Sequence, residues 1–249
     1  MNIRYMNPDF TIGIVGYGDF GELIYTLTKR YIPSAHIKVF SRSNKEDQNM
    51  FFSLKEVCDS DILFLSVPVS AFESVLKNIV PYIKKETVIV DVSAVKTYPI
   101  KILEEYPKQI NYITTHPLFG PYSYEKKKHS VSGFRIVMCE HNLAQNTYTS
   151  ISSFLEKLGI VIIKISPDEH DRLIAETLFL THIIGQTVHQ GEFDRTSIDT
   201  VSFGFIMDAV ESVREDVVLF KEVFKYNPYC RGVLNRFKVS LVEVEKLLE

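Results

Sequence analysis

The amino-acid sequence predicts an α/β protein in which a doubly wound, mostly parallel β-sheet is followed by a smaller all-helical domain. Short runs rich in valine and isoleucine alternate with helix-like segments through the first two thirds of the 249 residues. This alternation is the pattern of buried parallel strands covered by helices. After residue 165 the strand signals stop and helical patterns remain. We therefore expect a sheet domain over residues 1–165 and a helical domain over residues 166–249.

Seven strands are expected in the sheet domain, because apolar runs recur along it at the spacing of a parallel sheet. They are Thr11–Val15, His36–Phe40, Ile62–Val67, Val88–Val92, Tyr112–Thr115, Phe134–Met138 and Val161–Ile165. Helix-like segments lie between them, as crossover connections between parallel strands require. These are Phe20–Arg30, Ser70–Tyr82, Tyr98–Tyr106 and Leu143–Leu158.

The helical domain begins with a helix start signal. Ser166 fits an N-cap, Pro167 the first helical position and Glu169 the third, which is the order found at helix N-termini. Three helices are expected: Asp168–Gln190, which ends at Gly191; Phe205–Phe224; and Pro228–Leu248, with Asn227 as its cap. The cleft between two such domains is a usual place for a small-molecule ligand.

Composition and charge exclude several classes of partner. The 28 basic and 31 acidic side chains give a net charge of −3, which offers no broad attraction for nucleic acid or an anionic membrane. The three cysteines form no CxxC pair, so we expect no disulfide framework, no metal site and a reducing cytoplasm. The N-terminus has no apolar leader, and the longest apolar run, Ile62 to Phe72, is far shorter than the ~20 residues of a membrane-spanning helix. A soluble, unprocessed protein is expected.

A glycine-rich motif directly follows the first predicted strand and opens the first predicted helix. It reads Gly16-Tyr17-Gly18-Asp19-Phe20-Gly21, a GxGxxG pattern. The first glycine permits a tight turn, the second lets the backbone approach a pyrophosphate, and the third lets helix and strand pack closely. In this context the motif indicates a dinucleotide-binding domain of the Rossmann type. The alternative is a glycine-rich turn without a ligand.

The end of the second predicted strand indicates which dinucleotide is bound. A domain specific for NAD usually has Asp or Glu there, ~20 residues after the glycines, to bind the ribose 2′-hydroxyl. Here the segment reads Phe40-Ser41-Arg42-Ser43. Arg42 and two hydroxyls can bind and neutralise a 2′-phosphate that a carboxylate would repel. We therefore expect NADP rather than NAD, the alternative being that Arg42 is a solvated loop arginine.

Ser66-Val67-Pro68 follows the third predicted strand. The carboxyl ends of strands in a doubly wound sheet face the bound cofactor, so we expect this segment to line the nicotinamide ribose. Pro68 also ends the strand, because proline cannot continue a sheet ladder. The two interpretations are compatible.

Two further segments at strand ends carry candidate chemistry. Asp91-Val92-Ser93-Ala94-Val95-Lys96 follows the fourth predicted strand, and Thr115-His116-Pro117-Leu118-Phe119-Gly120-Pro121 follows the fifth. His116 lies between a strand and a proline-bounded turn, so a stiff backbone presents its ring. A histidine can accept a hydroxyl proton at neutral pH while a hydride leaves the same carbon. A structural capping histidine is the alternative.

Five motifs in this order resemble the prephenate/arogenate dehydrogenase family. They are VGYGDFG, the SVP after the third strand, DVSAVK, THPLFGP and FLTHIIGQT, in a region from about Ile12 to Gln186. Phe40-Ser41-Arg42-Ser43, THPLFGP and FLTHIIGQ are most similar to the short plant-type arogenate dehydrogenases. Val213-Arg214-Glu215-Asp216 is similar to the C-terminal helices of that branch.

The resemblance implies oxidative decarboxylation of arogenate or prephenate in tyrosine biosynthesis. The ring carbon that bears the hydroxyl gives a hydride to the nicotinamide, a histidine takes the proton, and loss of CO₂ makes the ring aromatic. By this resemblance His116 polarises the hydroxyl, and Thr181 and His182 lie on the substrate face of the first long helix. His182, Gln186 and His189 also recur at i, i+4 and i+7 as a polar strip on an apolar helix, for which a solvated face is the alternative.

The sequence departs from the family pattern in residues that would bind the substrate. The DxxSxK motif of the family carries a serine that helps to hold the substrate hydroxyl and the histidine; this chain has Ala94 there, with Ser93 one residue earlier and Lys96 at the end. Enzymes that use prephenate often carry a second histidine at the place of Gly185, so we expect arogenate to be preferred. Arg214 is the nearest candidate for the arginine that grips the side-chain carboxylate.

The preferred interpretation is an NADP-dependent arogenate or prephenate dehydrogenase whose helical domain pairs with a second copy, as is usual in the family. One alternative is a β-hydroxyacid dehydrogenase or imine reductase of similar architecture. Those enzymes typically use a lysine or another group on the long interdomain helix, and Asp168–Gln190 contains no lysine. The other alternative is a non-catalytic NADP-binding regulator, which Ala94 supports best.

Overall fold

The computed structural model describes residues 10–106 and 110–249. The opening segment MNIRYMNPD, in which the sequence shows no apolar leader, lies outside the described residues. The chain divides into two compact units, Met1–Pro167 and Asp168–Glu249. The roles expected for residues 1–165 and 166–249, dinucleotide binding and then substrate binding with dimerisation, stay predictions.

The first unit is built on a seven-stranded sheet. Its strands are β1 (Thr11–Val15), β2 (His36–Phe40), β3 (Ile62–Leu65), β4 (Val88–Asp91), β5 (Asn111–Pro117), β6 (Arg135–His141) and β7 (Val161–Lys164). Their order across the sheet is β2-β1-β3-β4-β5-β6-β7, and all neighbours are parallel except β5 and β6. The predicted mostly parallel sheet is confirmed.

Helices cover this sheet. Among the described residues they are α1 (Asp19–Tyr31), α2 (Leu54–Cys58), α3 (Val69–Ile79), α4 (Thr97–Leu103), α5 (Pro121–Lys126) and α6 (Gln145–Lys157). The four predicted helices correspond to α1, α3, α4 and α6. The sequence analysis missed α2 and α5, because neither is long enough to show a helical repeat. A capping box between Ser53 and Glu56 starts α2.

Alternate residues of the central strands pack into two apolar layers on opposite faces of the sheet. In one layer Leu63 and Leu65 of β3 pack with Phe72 of α3. In the other, Ile12 and Ile14 of β1 pack with α1. Because both faces are covered, the strands read as almost continuous apolar runs. This is the doubly wound arrangement that the sequence predicts.

The winding of the sheet reverses between β1 and β3, because β2 lies on one side of β1 and β3 on the other. In open α/β sheets, ligands bind outside the carboxyl ends of the strands at such a point. The loops that begin at Gly16 and at Ser66 leave the sheet there. The topology therefore brings the glycine motif and the SVP segment to one edge.

The second unit is helical among its described residues. It contains α7 (Pro167–Ile174), a π-helical turn (Ala175–Phe179), α8 (Leu180–Gln190), α9 (Val201–Val213), α10 (Val217–Tyr226), α11 (Cys230–Glu245) and a short 3₁₀ turn (Lys246–Leu248). Pro167 is the first residue of α7, as predicted. The side chain of Asn227 accepts a hydrogen bond from the N–H of Tyr229 just before α11, which agrees with its expected capping role.

The prediction of one helix over Phe205–Phe224 is wrong. The structure has two helices, because α9 ends at Val213 and α10 starts at Val217. Apolar residues continue on both sides of the break, so periodicity alone did not reveal it. The acidic pair Glu215-Asp216 marks the break.

Candidate active site

The loop after β1 is a tight turn that lies directly against the loop after β3. Gly16 has a φ of +101°, and a Cβ atom there would lie 2.0 Å from the carbonyl oxygen of Ser66. The N–H of Gly16 donates to the carbonyl of Phe40 (2.9 Å), and the N–H of Ser66 donates to that of Val15 (2.8 Å). The ends of β1, β2 and β3 are thereby joined by a turn that only glycine fits at residue 16.

The N-terminus of α1 is close to this turn on one side and open on the other. A Cβ at Gly21 would lie 2.2 Å from the carbonyl oxygen of Gly16, whereas a Cβ at Gly18 would have no atom within 4 Å. The N-cap residue is Gly18, which has no side chain to cap the helix. Open space at an uncapped helix N-terminus accommodates a phosphate group. The motif therefore has the geometry that a dinucleotide pyrophosphate needs.

The side chains between the three glycines have different surroundings. Tyr17 packs edge to face on Phe51, with ring centroids 5.3 Å apart. Phe20 packs against the core formed by β1 and α1. Asp19 is exposed. A cofactor contact from Tyr17, Asp19 or Phe20 stays a prediction.

Hydroxyl groups cluster at the end of β2. The Oγ atoms of Ser41 and Ser43 are 3.0 Å apart, and Ser41 Oγ also donates to Asn44 Oδ1 (2.9 Å). Arg42, between the two serines, is exposed. The carbonyl of Phe40 accepts a hydrogen bond from the N–H of Gly16. The glycine turn therefore fixes the end of β2, and these polar groups come directly after it in the chain. This arrangement suits a phosphate on the adenosine ribose.

The SVP segment connects β3 to α3. Pro68 is the N-cap residue of α3, and Val67 packs against the apolar layer between sheet and helices. Ser66 provides the carbonyl that approaches Gly16. The expected contact of Ser66, Val67 and Pro68 with a nicotinamide ribose stays a prediction.

A buried ion pair joins the ends of β4 and β5. Lys96 Nζ contacts Asp91 Oδ2, and both side chains are completely buried. Lys96 Nζ also donates to the carbonyl of Thr115 (2.6 Å), and Thr115 Oγ1 donates to the carbonyl of Asp91 (2.8 Å). The observed role of Lys96 is to tie the DVSAVK loop to β5. Its expected substrate contact stays a prediction that this burial does not support.

Ser93 and Ala94 lie in the same loop, and both are buried. The N–H of Ser93 donates to Asp91 Oδ1 (2.9 Å), and Ser93 Oγ donates to the carbonyl of Val95 (2.8 Å). The hydroxyl proton of Ser93 is thus used within the loop. Ser93 is poorly suited to replace the hydroxyl that Ala94 lacks.

His116 is the penultimate residue of β5 and is buried. It pairs with Val137 of β6 across the antiparallel part of the sheet. The next residues are also fixed: the N–H of Leu118 donates to the carbonyl of Arg135 (2.9 Å), and Phe119 stacks on Phe134 with ring centroids 4.5 Å apart. The backbone on both sides of His116 is therefore fixed by the sheet. The catalytic role expected of its ring stays a prediction.

His182 lies in α8, where it is buried rather than part of a polar surface. Its ring stacks on Phe220 of α10, with centroids 5.6 Å apart and planes within 5°. Burial lowers the pKa of His182 to about 4, so the ring is neutral at pH 7. Its Nδ1 atom has no hydrogen-bond partner within the described part of the chain. An unsatisfied buried nitrogen is costly. The expected substrate contact of His182 stays a prediction.

His182, Gln186 and His189 do not form the expected polar strip, because His182 is buried and His189 is exposed. Thr181 Oγ1 donates to the carbonyl of Thr177 (3.0 Å), and His189 is exposed. Gln186 Nε2 donates to the carbonyls of Val213 (2.9 Å) and Arg214 (3.1 Å). Both expected roles, for Thr181 and for Gln186 as substrate ligands, stay predictions.

Arg214 follows the last residue of α9, and its side chain is 50% exposed. The guanidinium lies 3.4 Å from Glu215 Oε1. Gly185 faces the same helix end: a Cβ there would lie 2.4 Å from Val213 Cγ2. The place where prephenate users often carry a second histidine is therefore occupied by α9.

Sequence reasoning missed Thr115 and Phe220 as parts of the candidate site. Thr115 precedes His116, and its hydroxyl and carbonyl hold the loop of Asp91 and Lys96. A hydroxyl residue at a strand end was a usable signal for Thr115. Phe220 stacks on His182 from another helix, and no local pattern indicates such a contact.

The fold and the glycine turn define a dinucleotide-binding protein of the Rossmann class. The model of the prephenate dehydrogenase nucleotide-binding domain matches residues 30–164. That match covers more than half of the chain, so the chain belongs to the prephenate dehydrogenase family.

Named relatives agree with this membership. The chain is 29% identical to arogenate dehydrogenase 2 (chloroplastic) of Arabidopsis thaliana, over 95% of this chain and 69% of that protein. It is also 29% identical to arogenate dehydrogenase 1 (chloroplastic) of the same plant, over 95% of this chain but only 39% of that protein. The fold is similar to that of A. aeolicus prephenate dehydrogenase in complex with hydroxyphenyl propionate and NAD⁺, with a TM-score of 0.73, 17% identity and coverage of 96% and 90% of the two chains.

The part of the chain that the structure describes has neither a membrane-spanning helix nor a cluster of metal ligands. Within residues 10–106 and 110–249, no helix combines the length and apolar character needed to cross a membrane. The same residues contain no group of three or more His, Cys, Asp or Glu side chains that could hold a metal ion.

The low pKa of His182 predicts that acid destabilises the protein. The pKa is about 4 in the folded state and ~6.5 in the unfolded chain, so only the unfolded state gains this proton between those values. The stabilisation is complete above pH ~6.5 and is lost as the pH falls towards about 4. His182→Phe, which keeps an aromatic ring beside Phe220, should remove this part of the pH dependence.

Urea unfolding followed by circular dichroism at several pH values between 4 and 7.5 checks this prediction. As the pH falls, the urea concentration at the unfolding midpoint should decrease less for His182→Phe than for the parent. His189→Asn, a change at an exposed histidine of the same helix, should reproduce the parent profile. A constant difference between His182→Phe and the parent would contradict the buried, neutral state of His182.

Proposed function

We propose that this protein is an NADP-dependent dehydrogenase that oxidatively decarboxylates arogenate, or less readily prephenate. The observation that carries the proposal is the arrangement of three features at strand ends of one sheet. These are the glycine turn after β1, the Ser41–Ser43 segment after β2, and His116 at the end of β5. Membership of the prephenate dehydrogenase family supports the same reaction class.

The first unit fits a nicotinamide dinucleotide. The open side of Gly18 leaves room for the pyrophosphate, and the α1 N–H groups can donate to it. When bound, the cofactor accepts a hydride from the substrate. Ser66, Val67 and Pro68 would lie along the nicotinamide ribose, since they follow β3 beside Gly16.

NADP preference rests on Arg42. Arg42 and the hydroxyls of Ser41 and Ser43 offer a cation and donors to a ribose 2′-phosphate. This segment has no carboxylate to bind the 2′-hydroxyl of NAD. The similar A. aeolicus structure contains NAD⁺, whereas a relative from Schizosaccharomyces pombe carries NADP⁺ in its name. The residues of this chain favour NADP.

His116 is the proposed catalytic base. The substrate hydroxyl gives its proton to the imidazole as the hydride leaves the same carbon, and the ring carboxylate leaves as CO₂ while the ring becomes aromatic. His116 is buried in β5, so its backbone is already ordered, which lowers the entropy lost on reaching the reactive geometry. The Asp91–Lys96 pair holds the adjacent residue, Thr115, and thereby stiffens this strand end.

The proposed substrate-binding residues in the second unit are Thr181, His182 and Arg214. Neutral His182 can accept a hydrogen bond at its unpartnered Nδ1 when Nε2 carries the ring proton. Arg214 is half exposed and cationic, and it suits the side-chain carboxylate. Gly185 leaves no histidine at the place used by many prephenate enzymes, so we favour arogenate.

A homodimer through the helical unit is part of the proposal. Ile198, Val201 and Phe205 are 87%, 77% and 69% exposed, and α9 has an unusually apolar sequence. Exposed apolar clusters of this kind are typical of interfaces. We also expect a reducing, cytoplasmic location, because the three cysteines are odd in number, lie far apart in the sequence and form no CxxC pair.

A non-catalytic NADP-binding regulator is the second candidate, and one observation favours it. Ala94 lacks the hydroxyl of the serine that the family carries at this place, and the hydroxyl of Ser93 already donates to the carbonyl of Val95. Such a protein would bind NADP but produce no NADPH. The fold is also similar to that of other NAD(P)-dependent enzymes. If this protein were instead a β-hydroxyacid dehydrogenase or imine reductase, it would leave arogenate and prephenate unchanged.

One assay separates these functions. Purified protein is mixed with NADP or NAD and with arogenate, prephenate or a β-hydroxyacid, and the absorbance of NADPH or NADH is followed. Light scattering of the same sample measures the mass of the particle and so tests the homodimer. We expect turnover with NADP and a kcat/KM that favours arogenate. Binding of NADP without turnover of any substrate would favour the regulator, and a tenfold preference for prephenate would contradict the role given to Gly185.

Arg42→Ala tests the cofactor preference. Loss of a charge-assisted contact to a phosphate costs on the order of 1.5–3 kcal/mol, so NADP affinity should fall roughly ten- to a hundredfold. NAD affinity should stay almost unchanged. Titration of both cofactors measures this, with Lys45→Ala, an exposed cation nearby, as the control. Equal losses for both cofactors would refute the assignment of Arg42 to the 2′-phosphate.

His116→Asn tests the catalytic base. Asparagine can hydrogen-bond but cannot take up the proton, so kcat should fall by roughly 10²–10⁴. NADP binding should stay near that of the parent. His129→Asn, at an exposed histidine of the same unit, should keep full activity. A near-normal kcat for His116→Asn would remove this residue from the mechanism.

Ala94→Ser tests the missing hydroxyl. A restored hydrogen bond to the substrate hydroxyl or the imidazole contributes about 0.5–1.5 kcal/mol, so kcat/KM should rise roughly three- to tenfold. Because Ser93 donates to Val95, Ser93→Ala should lower stability more than turnover. If instead Ser93→Ala abolishes activity and Ala94→Ser is neutral, Ser93 has taken over the role. Turnover only in Ala94→Ser would support the regulator.

A further inference from the structure

The C-terminus of α9 is held by side-chain contacts from α8. The last carbonyls of a helix have no partner within the helix and need donors from elsewhere. At the end of α9 the carbonyl of Val213 accepts from the N–H of Asp216 (3.1 Å). The carbonyls of Val213 and Arg214 both accept from Gln186 Nε2. One amide group therefore closes the helix end at which Arg214 lies.

Gly185 makes this contact possible. A Cβ atom at residue 185 would lie 2.4 Å from Val213 Cγ2 and 3.6 Å from the Cα of Val210. Any side chain there would force the Val213 side chain or α9 itself to shift, and a shift of α9 would lengthen the bonds from Gln186. We call Gly185 and Gln186, with the carbonyls of Val213 and Arg214, the α9 clamp.

The side chain of Arg214 has little else to fix it. Its ion pair is with Glu215, whose side chain is 88% exposed. Exposed pairs of this kind hold their groups weakly, because both side chains stay mobile and solvated. The location of the guanidinium is therefore set mainly by the backbone at residue 214. The α9 clamp fixes that backbone.

We propose that Gln186 is a positioning residue for Arg214 and not a ligand of the substrate. It holds the backbone of Arg214 so that the guanidinium meets the side-chain carboxylate of arogenate or prephenate. This inference rests on the proposed function, in which Arg214 binds that carboxylate. The amide of Gln186 is already engaged with two carbonyls, which leaves it unsuited to a direct contact.

Steady-state kinetics of a double-mutant cycle test the proposal. Gln186→Met keeps the length of the side chain but removes both donors. It should raise the KM for arogenate five- to tenfold and change kcat less than twofold, because the side-chain carboxylate lies across the substrate ring from the carbon that loses the hydride. In an Arg214→Ala background the same change should alter KM less than twofold. Gln190→Met, the same substitution at an exposed residue of α8, is the matched control.

Hydrogen exchange measured by mass spectrometry tests the clamp without activity. Peptides that cover residues 213–217 should exchange faster in Gln186→Met than in the parent or in Gln190→Met. Unchanged exchange would overturn the clamp. An equal rise in KM in the parent and the Arg214→Ala backgrounds would show that Gln186 contacts the substrate itself. A parent that turns over neither substrate would refute the proposed function and the role of Arg214, while faster exchange would still support the clamp.

Discussion

The buried ion pair between Lys96 and Asp91 is the interaction on which the end of β5 depends. Both charges are fully removed from water, which is costly unless further hydrogen bonds compensate. Here Asp91 also accepts from the N–H of Ser93, and Lys96 also donates to Thr115. The compensating groups belong to β5 and to the loop after β4. The charges are therefore stable only while these two segments keep their relative position. His116 is the residue after Thr115, which belongs to one of them.

Strands and long helices could be predicted because their burial is periodic in the sequence. The predicted first and last residues of β1 and β2 are the same as those in the structure, since polar or glycine residues follow each apolar run. The break between α9 and α10 could not be found this way. Apolar residues lie on both sides of Arg214–Asp216. The carbonyl that the break exposes accepts a hydrogen bond from Gln186 of α8. Contacts between distant segments, and not local propensity, determine where α9 ends.

The same distinction applies to the candidate site. The glycine turn was predictable because one short segment contains both the strand end and the helix start, and its chemistry depends on the backbone. The environment of His182 was not, because its stacking partner Phe220 is 38 residues away along the chain (220 − 182). The helical repeat suggested a polar strip, but burial separates His182 from the exposed His189. For Lys96, the motif alone did not reveal that its ammonium is enclosed.

The π-helical turn Ala175–Phe179 gives the second unit a tolerance to the loss of one residue that α7 and α8 lack. A π turn accommodates one residue more than an α turn, so loss of a single residue there would leave an unbroken α-helix. The residues from Leu180 to Gln190 would keep their directions relative to α7. Within α7 or α8, by contrast, each residue corresponds to a rotation of about 100°, so a deletion there would turn every later residue of the helix to a new direction. One-residue differences in length among related chains should therefore be more frequent in this turn than in α7 or α8.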